Sequence, residues 1–426
     1  MILDGAGRMN DRLYKRYLLG ILLLIYAFNG VDRLGLGLLM QNIKTDLHLS
    51  DTELGLLTGI AFAVFYSLMG LPLARWADSG NRRTLIAATT GLWSMAVAAC
   101  GLAASFIQLL GIRIFVAVGE AGCVPPAHSL IAEHFTRAER PRAVSIYMLG
   151  TSLSGVLGYF VAGWLNELYG WRTTFILLGL PGVGLAAVAW LTLREPRRPS
   201  FTATRAPQRP SLADVCGTLW RNRTFRHLLL CYSVMSFFGT GIGQWQPTYF
   251  VRSFHLSSAE LGAWFAVVYG TSGLAGIYLG GELAARRAAN NEQLQLTVMA
   301  IACAVSTGIS ALTYLSPNHH VAFVSVGLTA IVGAAVLGPL FATIQTLVPE
   351  RMRATAIALI YLFANLVGMG LGPLAAGALS DVLRSYFGEE SLRYSLLALS
   401  AGYLWGSWHL WQARIWVRGD IAPAVL

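Results

Sequence analysis

An all-α polytopic membrane protein, with twelve transmembrane helices in two six-helix bundles related by pseudo-symmetry, is what this sequence predicts. Three observations carry the prediction. The chain of 426 residues is 55% hydrophobic and 12% charged, with a mean hydropathy of +0.57, more apolar than an ordinary soluble domain. A bilayer-crossing helix needs about 20 apolar residues. Such stretches lie near 17–40, 54–77, 84–104, 108–134, 143–168, 172–193, 225–250, 260–284, 294–315, 320–348, 354–379 and 392–417. Finally, short motifs of the first half recur in the second. "HLSDTELG" (48–55) returns as "HLSSAELG" (255–262), and "ERPRAVSIY" (139–147) as "ERMRATAIA" (350–358).

The halves are expected to be 1–193 and 225–426, with 194–224 a cytoplasmic linker. Each repeat of the first pair holds a capping box, Ser50 with Glu53 and Ser257 with Glu260. The serine accepts from a free backbone N–H, and the glutamate reaches back to do the same. Both mark the start of the second helix of their half. Six-helix repeats are how many secondary transporters build a central site with two access routes.

Orientation follows from charge. Of 31 Lys and Arg, two (Arg33 and Arg113) lie deep inside spans and five (Lys44, Arg172, Arg252, Arg384, Arg393) fall in loops on one side. The rest fall at or near the other side. By the positive-inside rule that side is cytoplasmic, and both termini with it. The net charge of +10 is therefore topological and does not imply a nucleic-acid partner. The basic N-terminus (Arg8, Arg12, Lys15, Arg16) runs into a first helix too long for a signal-peptide core, so the helix is expected to be retained. The linker, proline- and arginine-rich, reads as a solvated segment near anionic headgroups. The five cysteines avoid the outside loops, so no disulfide framework is expected.

The chemistry concentrates on two helices. Helix one carries "NGVDRLGLG" (29–37), placing Asp32 beside Arg33 in an apolar run. Neighbours in a helix project about 100° apart and cannot face each other. A charge near the bilayer centre costs roughly 2.5 kcal/mol or more. Each therefore wants a partner on another helix. Only helix four, "GIRIFVAVGEAGCVPPAHS" (111–129), offers them, Arg113 and Glu120, seven residues apart on one face. The tetrad is neutral overall. One reading is a structural clamp. The other is functional: burial and a nearby arginine pull a carboxyl pKa in opposite directions, so a moving arginine makes a proton bind or leave. On that reading Arg33 alternates between Glu120 and a substrate anion, and Asp32, Glu120 or both carry protons. His128, beyond Pro125 and Pro126, is either an inward proton relay or a packing residue, and the prolines are expected to kink the helix.

Further candidates line a cavity. In the first half they are Tyr26, Phe28, Phe62, Phe65 and Tyr66. In the second they are Gln244, Trp245 and Gln246 from "GQWQPTYF", Thr343 and Gln345, and Tyr361 and Asn365. One side is charged and the other aromatic with a few amides, which suits an amphipathic anion or zwitterion. The loop "ARWADSGNRR" (74–83) places Asp78 before a Gly–Asn turn and the paired Arg82 and Arg83. It is similar to the loop signature of the major facilitator superfamily, although Ala74 stands where a glycine is usual and Ser79 where a base is usual. The resemblance implies the major facilitator fold and a cytoplasmic gate in which Asp78 pairs with Arg142 or Arg353, each at a helix start. Small residues on helices five and eleven, "GTSLSGVLGYFVAGW" and "GMGLGPLAAG", allow close helix approach.

A narrower resemblance rests on "VDR", on "LSDTELGLLTGIAFAVFYSLMGLPLARWADSGNRR" and on "RIFVAVGEAGCVPPAHSLIAEHF". Together these resemble the bacterial form of the Spinster branch, closely over the first half and in the second mainly through "PERMRATAIALIYLFANLVGMGLGP". The resemblance implies transport of lysolipids or sphingosine phosphates, proton-linked in several members, by a monomer in the bacterial plasma (inner) membrane. It makes Asp32, Arg33, Arg113 and Glu120 the matching functional positions. Organic anion–proton symporters of the superfamily are also similar, pairing "DR" on helix one with an arginine and an acid on helix four. They imply a small carboxylate or sugar acid instead. No nucleophile–base pair, metal-ligand cluster or nucleotide motif stands out, so neither an enzyme nor a cofactor is expected, with protons as the coupling ion.

Overall fold

Helix α1 (Asp11–Leu47) has 37 residues and so extends about 55 Å, well beyond the roughly 30 Å hydrocarbon layer. In the computed structural model, which describes residues 11–136, 139–195, 212–288, 291–348 and 352–421, every regular element is helical. The second pass is α2 (Asp51–Thr58) and α3 (Ile60–Ser79), broken at Gly59. The third is α4 (Arg82–Cys100). The fourth is α5 (Phe106–Glu120) and α6 (Val124–His134). The fifth and sixth form one run, α7 (Arg140–Thr192), turned at Gly170, whose φ of 75° suits only glycine. After α8 (Leu212–Arg221) come α9 (Arg223–Phe254), α10 (Ser258–Arg287), α11 (Glu292–Leu315) and α12 (His319–Leu347). The eleventh pass is α13 (Arg353–Phe363), a π-helical stretch (Ala364–Leu371) and α14 (Gly372–Phe387). The last is α15 (Ser391–Ser400) and α16 (Gly402–Ile421).

Among the described residues, eight helical stretches are long and apolar enough to cross a bilayer, and two of them are more than one pass long. Helices α4 and α9 do not reach that apolarity. Buried polar residues explain why, with Thr89, Thr90 and Ser94 on α4 and Ser233, Gln246 and Thr248 on α9 facing protein instead of lipid.

The chain divides into two compact units. The first comprises Met1–Leu49, Ala61–Thr202 and Ser257–Ala266, and the second Ser50–Ile60, Ala203–Leu256 and Val267–Leu426. They differ from a cut in the linker by two exchanged segments, each beginning at the capping serine of a repeated motif. In the second unit the first turns of α2 lie on α14. The capping box is complete, with Glu53 N donating to Ser50 Oγ at 3.1 Å and Ser50 N donating to Glu53 Oε2 at 2.8 Å. Asp381 accepts from the Asp51 and Thr52 amides at 3.1 and 2.7 Å. The approach is tight, since a Cβ on Gly55 would sit 2.6 Å from the Pro373 carbonyl. In the first unit the start of α10 lies on α7 in the same manner. Ser257 Oγ accepts from Glu260 N, while Glu167 accepts from Ser258 N at 3.0 Å.

The linker contains more order than a solvated segment would. Part of it is the amphipathic α8, whose Leu219 is buried against Phe225 and Leu228; residues 196–211 lie outside the described set.

Candidate functional site: a split charge tetrad

The local fold explains why the four charges meet. Arg113 and Glu120 share one face of α5, and α5 ends at Glu120 because Pro125 and Pro126 open a new helix, α6. The expected kink is thus a tight hydrogen-bonded turn at residues 121–123, next to the acid. All four charges belong to the first unit.

The tetrad resolves into two ion pairs. Arg113 Nη1 donates to Asp32 Oδ2 at 2.7 Å, and Arg33 Nε donates to Glu120 Oε2 at 2.6 Å. Arg33 Nη2 also contacts Glu120 Oε2, and it reaches Asn29 Oδ1 one turn back on α1 at 3.4 Å. Adjacent residues of α1 therefore serve separate partners on α5, the basic one for Asp32 and the acidic one for Arg33. Phe62 lies between the pairs, its ring centroid 4.7 Å from the Arg33 guanidinium and 5.3 Å from that of Arg113. Tyr66 offers Arg33 a second ring at 5.2 Å. Such cation–π contacts stabilise a partly desolvated guanidinium.

Burial separates the pairs. The side chains of Asp32 and Arg113 are 3% and 2% exposed, so that pair is sealed. Glu120 is 0% exposed, but the Arg33 side chain is 27% exposed. Arg33 is the part of the tetrad that a solute can reach. Asp32 Oδ1, Glu120 Oε1 and Arg113 Nε are buried with no hydrogen-bond partner among the described residues. Each carboxylate thus keeps one buried oxygen without a partner.

Other sequence candidates fall into separate settings. Tyr26 stacks on Tyr147 at 4.7 Å, and His128 meets the same ring edge-on at 5.4 Å. Phe28, Phe65 and Asn365 are half-buried. In the second unit a cavity of about 280 Å³ is lined by Tyr232, Met235, Gly239, Gln246, Tyr269 and Leu340, among others. Gln246 Oε1 accepts from the Tyr269 hydroxyl at 2.5 Å, and its amide donates to Tyr314 at 3.4 Å. Gln244, Trp245, Gln345, Tyr361 and Asn365 do not line this cavity. Trp245 is fully buried, donating from Nε1 to the Pro373 carbonyl at 2.8 Å, which makes it an anchor of α9 on α14. Gln345 and Tyr361 are exposed, and the Tyr361 ring stacks on Phe341.

Of the residues expected at the gate, the side chain of Asp78 lies outside the described set. Arg82 is wholly buried within the first unit, between Glu133 on α6 and Glu195 just after α7, and it donates to Ser129 Oγ at 3.0 Å. Arg83 lies over the Trp190 ring, Arg142 is exposed, and Arg353 Nε donates to the Gln345 carbonyl that ends α12.

Sequence reasoning missed a further buried ion pair. Arg252, expected in an outside loop, grips Asp51 with two hydrogen bonds of 2.8 and 2.7 Å within the second unit, and Ser380 Oγ donates to the same carboxylate at 2.7 Å. It also missed Asn29, whose spacing of four from Arg33 was the available signal.

The fold and the split tetrad describe a membrane transporter, and comparison with known proteins gives the family. The profile of the Major Facilitator Superfamily matches residues 22–383. The chain belongs to this superfamily of transporters, which work by alternating access and are not enzymes. It is 31% identical over 407 residues to an "MFS-type efflux pump" of Mycolicibacterium smegmatis, covering 94% of this chain and 93% of that protein. It is 25% identical over 285 residues to a "Probable L-galactonate transporter" of Escherichia coli, covering 64% and 63%. Among solved structures, a bacterial homolog of the human lysosomal transporter Spinster, crystallised inward-facing and unoccupied, superposes with a TM-score of 0.84 at 28% identity, covering 96% of this chain and 98% of that one.

Proposed function

We propose that this transporter is proton-coupled and moves an amphipathic anionic or zwitterionic lipid, of the lysophospholipid or sphingosine-phosphate type. The observation that carries the reading is the asymmetry of the tetrad. Arg33 alone has an open face, and it is held by a carboxylate with a free buried oxygen. A substrate anion that takes Arg33 leaves Glu120 without its counter-charge. A buried carboxylate without a counter-charge takes a proton. Substrate and proton binding are then linked on one side chain pair, while Asp32 and Arg113 hold the helices in place. Arginine suits this role because it stays charged and offers a flat edge to a phosphate or carboxylate. The lined cavity of the second unit is mostly apolar and suits an alkyl chain. Similarity to the Spinster homolog supports a lipid.

In the same reading Asp78 pairs with Arg142 or Arg353 as a cytoplasmic gate, both termini are cytoplasmic, and the protein acts as a monomer in the bacterial plasma membrane. Protons are the coupling ion, and no other cofactor takes part.

A second reading is symport of a small organic anion such as a sugar acid, favoured by the similarity to the L-galactonate transporter. Binding of a lysophospholipid and of a sugar acid to the purified protein separates the two. The account expects the lysophospholipid to bind and Arg33→Gln to weaken it about tenfold or more, the loss of a charged partner. Binding of the sugar acid alone would establish the second reading. Lipid binding unchanged by Arg33→Gln would remove the tetrad from the substrate site.

A further inference from the structure

One end of the second unit gathers arginines that the transport reading does not use. The end of α8, the start of α9 and the end of α16 meet there. Asp420 ties them, accepting from both the amide and the hydroxyl of Thr224 at 2.7 Å. Around this joint stand Arg221, Arg223, Arg226, Arg414 and Arg418. Among the described residues none of the five has a carboxylate within ion-pair distance.

Three of these arginines rest on indole rings. Arg223 lies 4.2 Å from the Trp416 ring, Arg414 3.7 Å from Trp411, and Arg226 5.8 Å from Trp220. The indoles are themselves exposed, Trp220 at 63%. A guanidinium held over a ring keeps N–H groups free to bond an oxyanion. Further along α16, Trp408 and Trp405 are also exposed, about 12 and 16 Å from Trp416 along the helix axis. Trp416 and Trp220, near the ends of their helices, stand where aromatic residues mark the level of lipid headgroups. The helix α8 fits the same boundary, with Leu219 buried in the core of the unit and Trp220 turned outward. Arginines with no carboxylate partner among the described residues, three of them over exposed indoles, complement a phosphodiester at the membrane surface.

We propose that this end of the second unit is a binding site for an anionic phospholipid, with Arg223 and Arg226 on the phosphate, Arg221 and Arg418 at its edge, and Trp220 and Trp416 flanking the glycerol. The site is separate from the transport arginines, so it stands whatever the substrate proves to be.

Native mass spectrometry of the full-length protein with phosphatidylglycerol and phosphatidylcholine tests it. Phosphatidylglycerol is expected to bind about tenfold more tightly than phosphatidylcholine. Arg223→Gln with Arg226→Gln removes that preference and leaves phosphatidylcholine binding unchanged. Arg223→Lys with Arg226→Lys, which keeps charge and loses the planar stack, gives an intermediate value. If the glutamine variant does not purify, Arg221→Gln with Arg418→Gln is expected to lower the preference from the rim. Equal binding of the two lipids overturns the proposal, as does a preference that survives in the glutamine variants. Loss of the preference in Arg33→Gln overturns it too, placing the lipid on the transport arginines. Displacement of the lipid by millimolar inorganic phosphate would show a plain anion site and also overturns it.

Discussion

The guanidinium of Arg33 donates to Glu120 across 2.6 Å, and Arg33 is the member of the charge tetrad that solute can reach. Asp32 is paired as closely with Arg113, yet both of those side chains are sealed. Two ion pairs of like chemistry thus have unlike burial.

The sealed pair is expected to govern stability. Asp32→Asn leaves Arg113 charged in a dry site, which costs about 3–5 kcal/mol. Asp32→Leu combined with Arg113→Met removes both charges and is expected to recover most of that loss. Unfolding of the purified variants by denaturant measures both. An Asp32→Asn protein within about 1 kcal/mol of the native one would contradict the assignment, since surface pairs are worth that little.

Arg82 gives a related prediction at the other end of the first unit. It is wholly buried and joins α4, α6 and the end of α7 through Glu133 and Glu195. Glu195→Gln is expected to destabilise by about 1–3 kcal/mol, the cost of weakening a charge-assisted bond. Arg82→Gln is expected to cost more, because it strands two carboxylates. The same unfolding assay reads the order of the two effects.

Glycines separate by what surrounds them. A Cβ on Gly179 would lie 2.5 Å from the Ser94 carbonyl and 2.6 Å from the Ala98 amide, all backbone that cannot yield cheaply. Gly179→Ala is expected to destabilise by about 1–3 kcal/mol. Gly111 has nothing within 4 Å, so Gly111→Ala is expected to stabilise by about 0.5–1 kcal/mol through helix propensity. Melting of the two variants side by side checks the sign of each.

The cavity of the second unit offers a test of substrate shape. Gly239 lines it and has open space where a side chain would project. Gly239→Leu is expected to reduce transport of a long-chain lysophospholipid about tenfold, a difference near 1.4 kcal/mol, and to leave a short-chain analogue unaffected. Uptake assays over a series of chain lengths measure it. Equal loss at every length would mean that the cavity does not hold the chain.

Much of this was legible in the sequence because charge in an apolar run is costly. Asp32, Arg33, Arg113 and Glu120 stand out against their helices, and adjacency in one helix with a spacing of seven in the other already required two separate pairs. The repeats were legible because capping leaves a short local signature at Ser50 and Ser257. What local signals could not show is pairing that depends on tertiary placement. Asp51 reads as an ordinary first-turn acid and Arg252 as a loop base, and only the packing of α2 on α14 brings them together. Trp245 shows the same limit, since an aromatic residue in a helix reads alike whether it lines a cavity or anchors a carbonyl. Helix α8 was hidden by the proline-rich segment before it, and the π-helical stretch at Ala364–Leu371 by the lack of any residue that specifies it.

The most direct test of the central claim is lumenal pH in proteoliposomes when lysophospholipid is added, for the native protein and for Glu120→Gln. The account predicts that protons move with the lipid in the native protein. In Glu120→Gln, lipid binding persists and proton movement falls to the level of empty vesicles. Proton movement of native size in Glu120→Gln would contradict it, because the Arg33–Glu120 pair would then not be where substrate and proton meet.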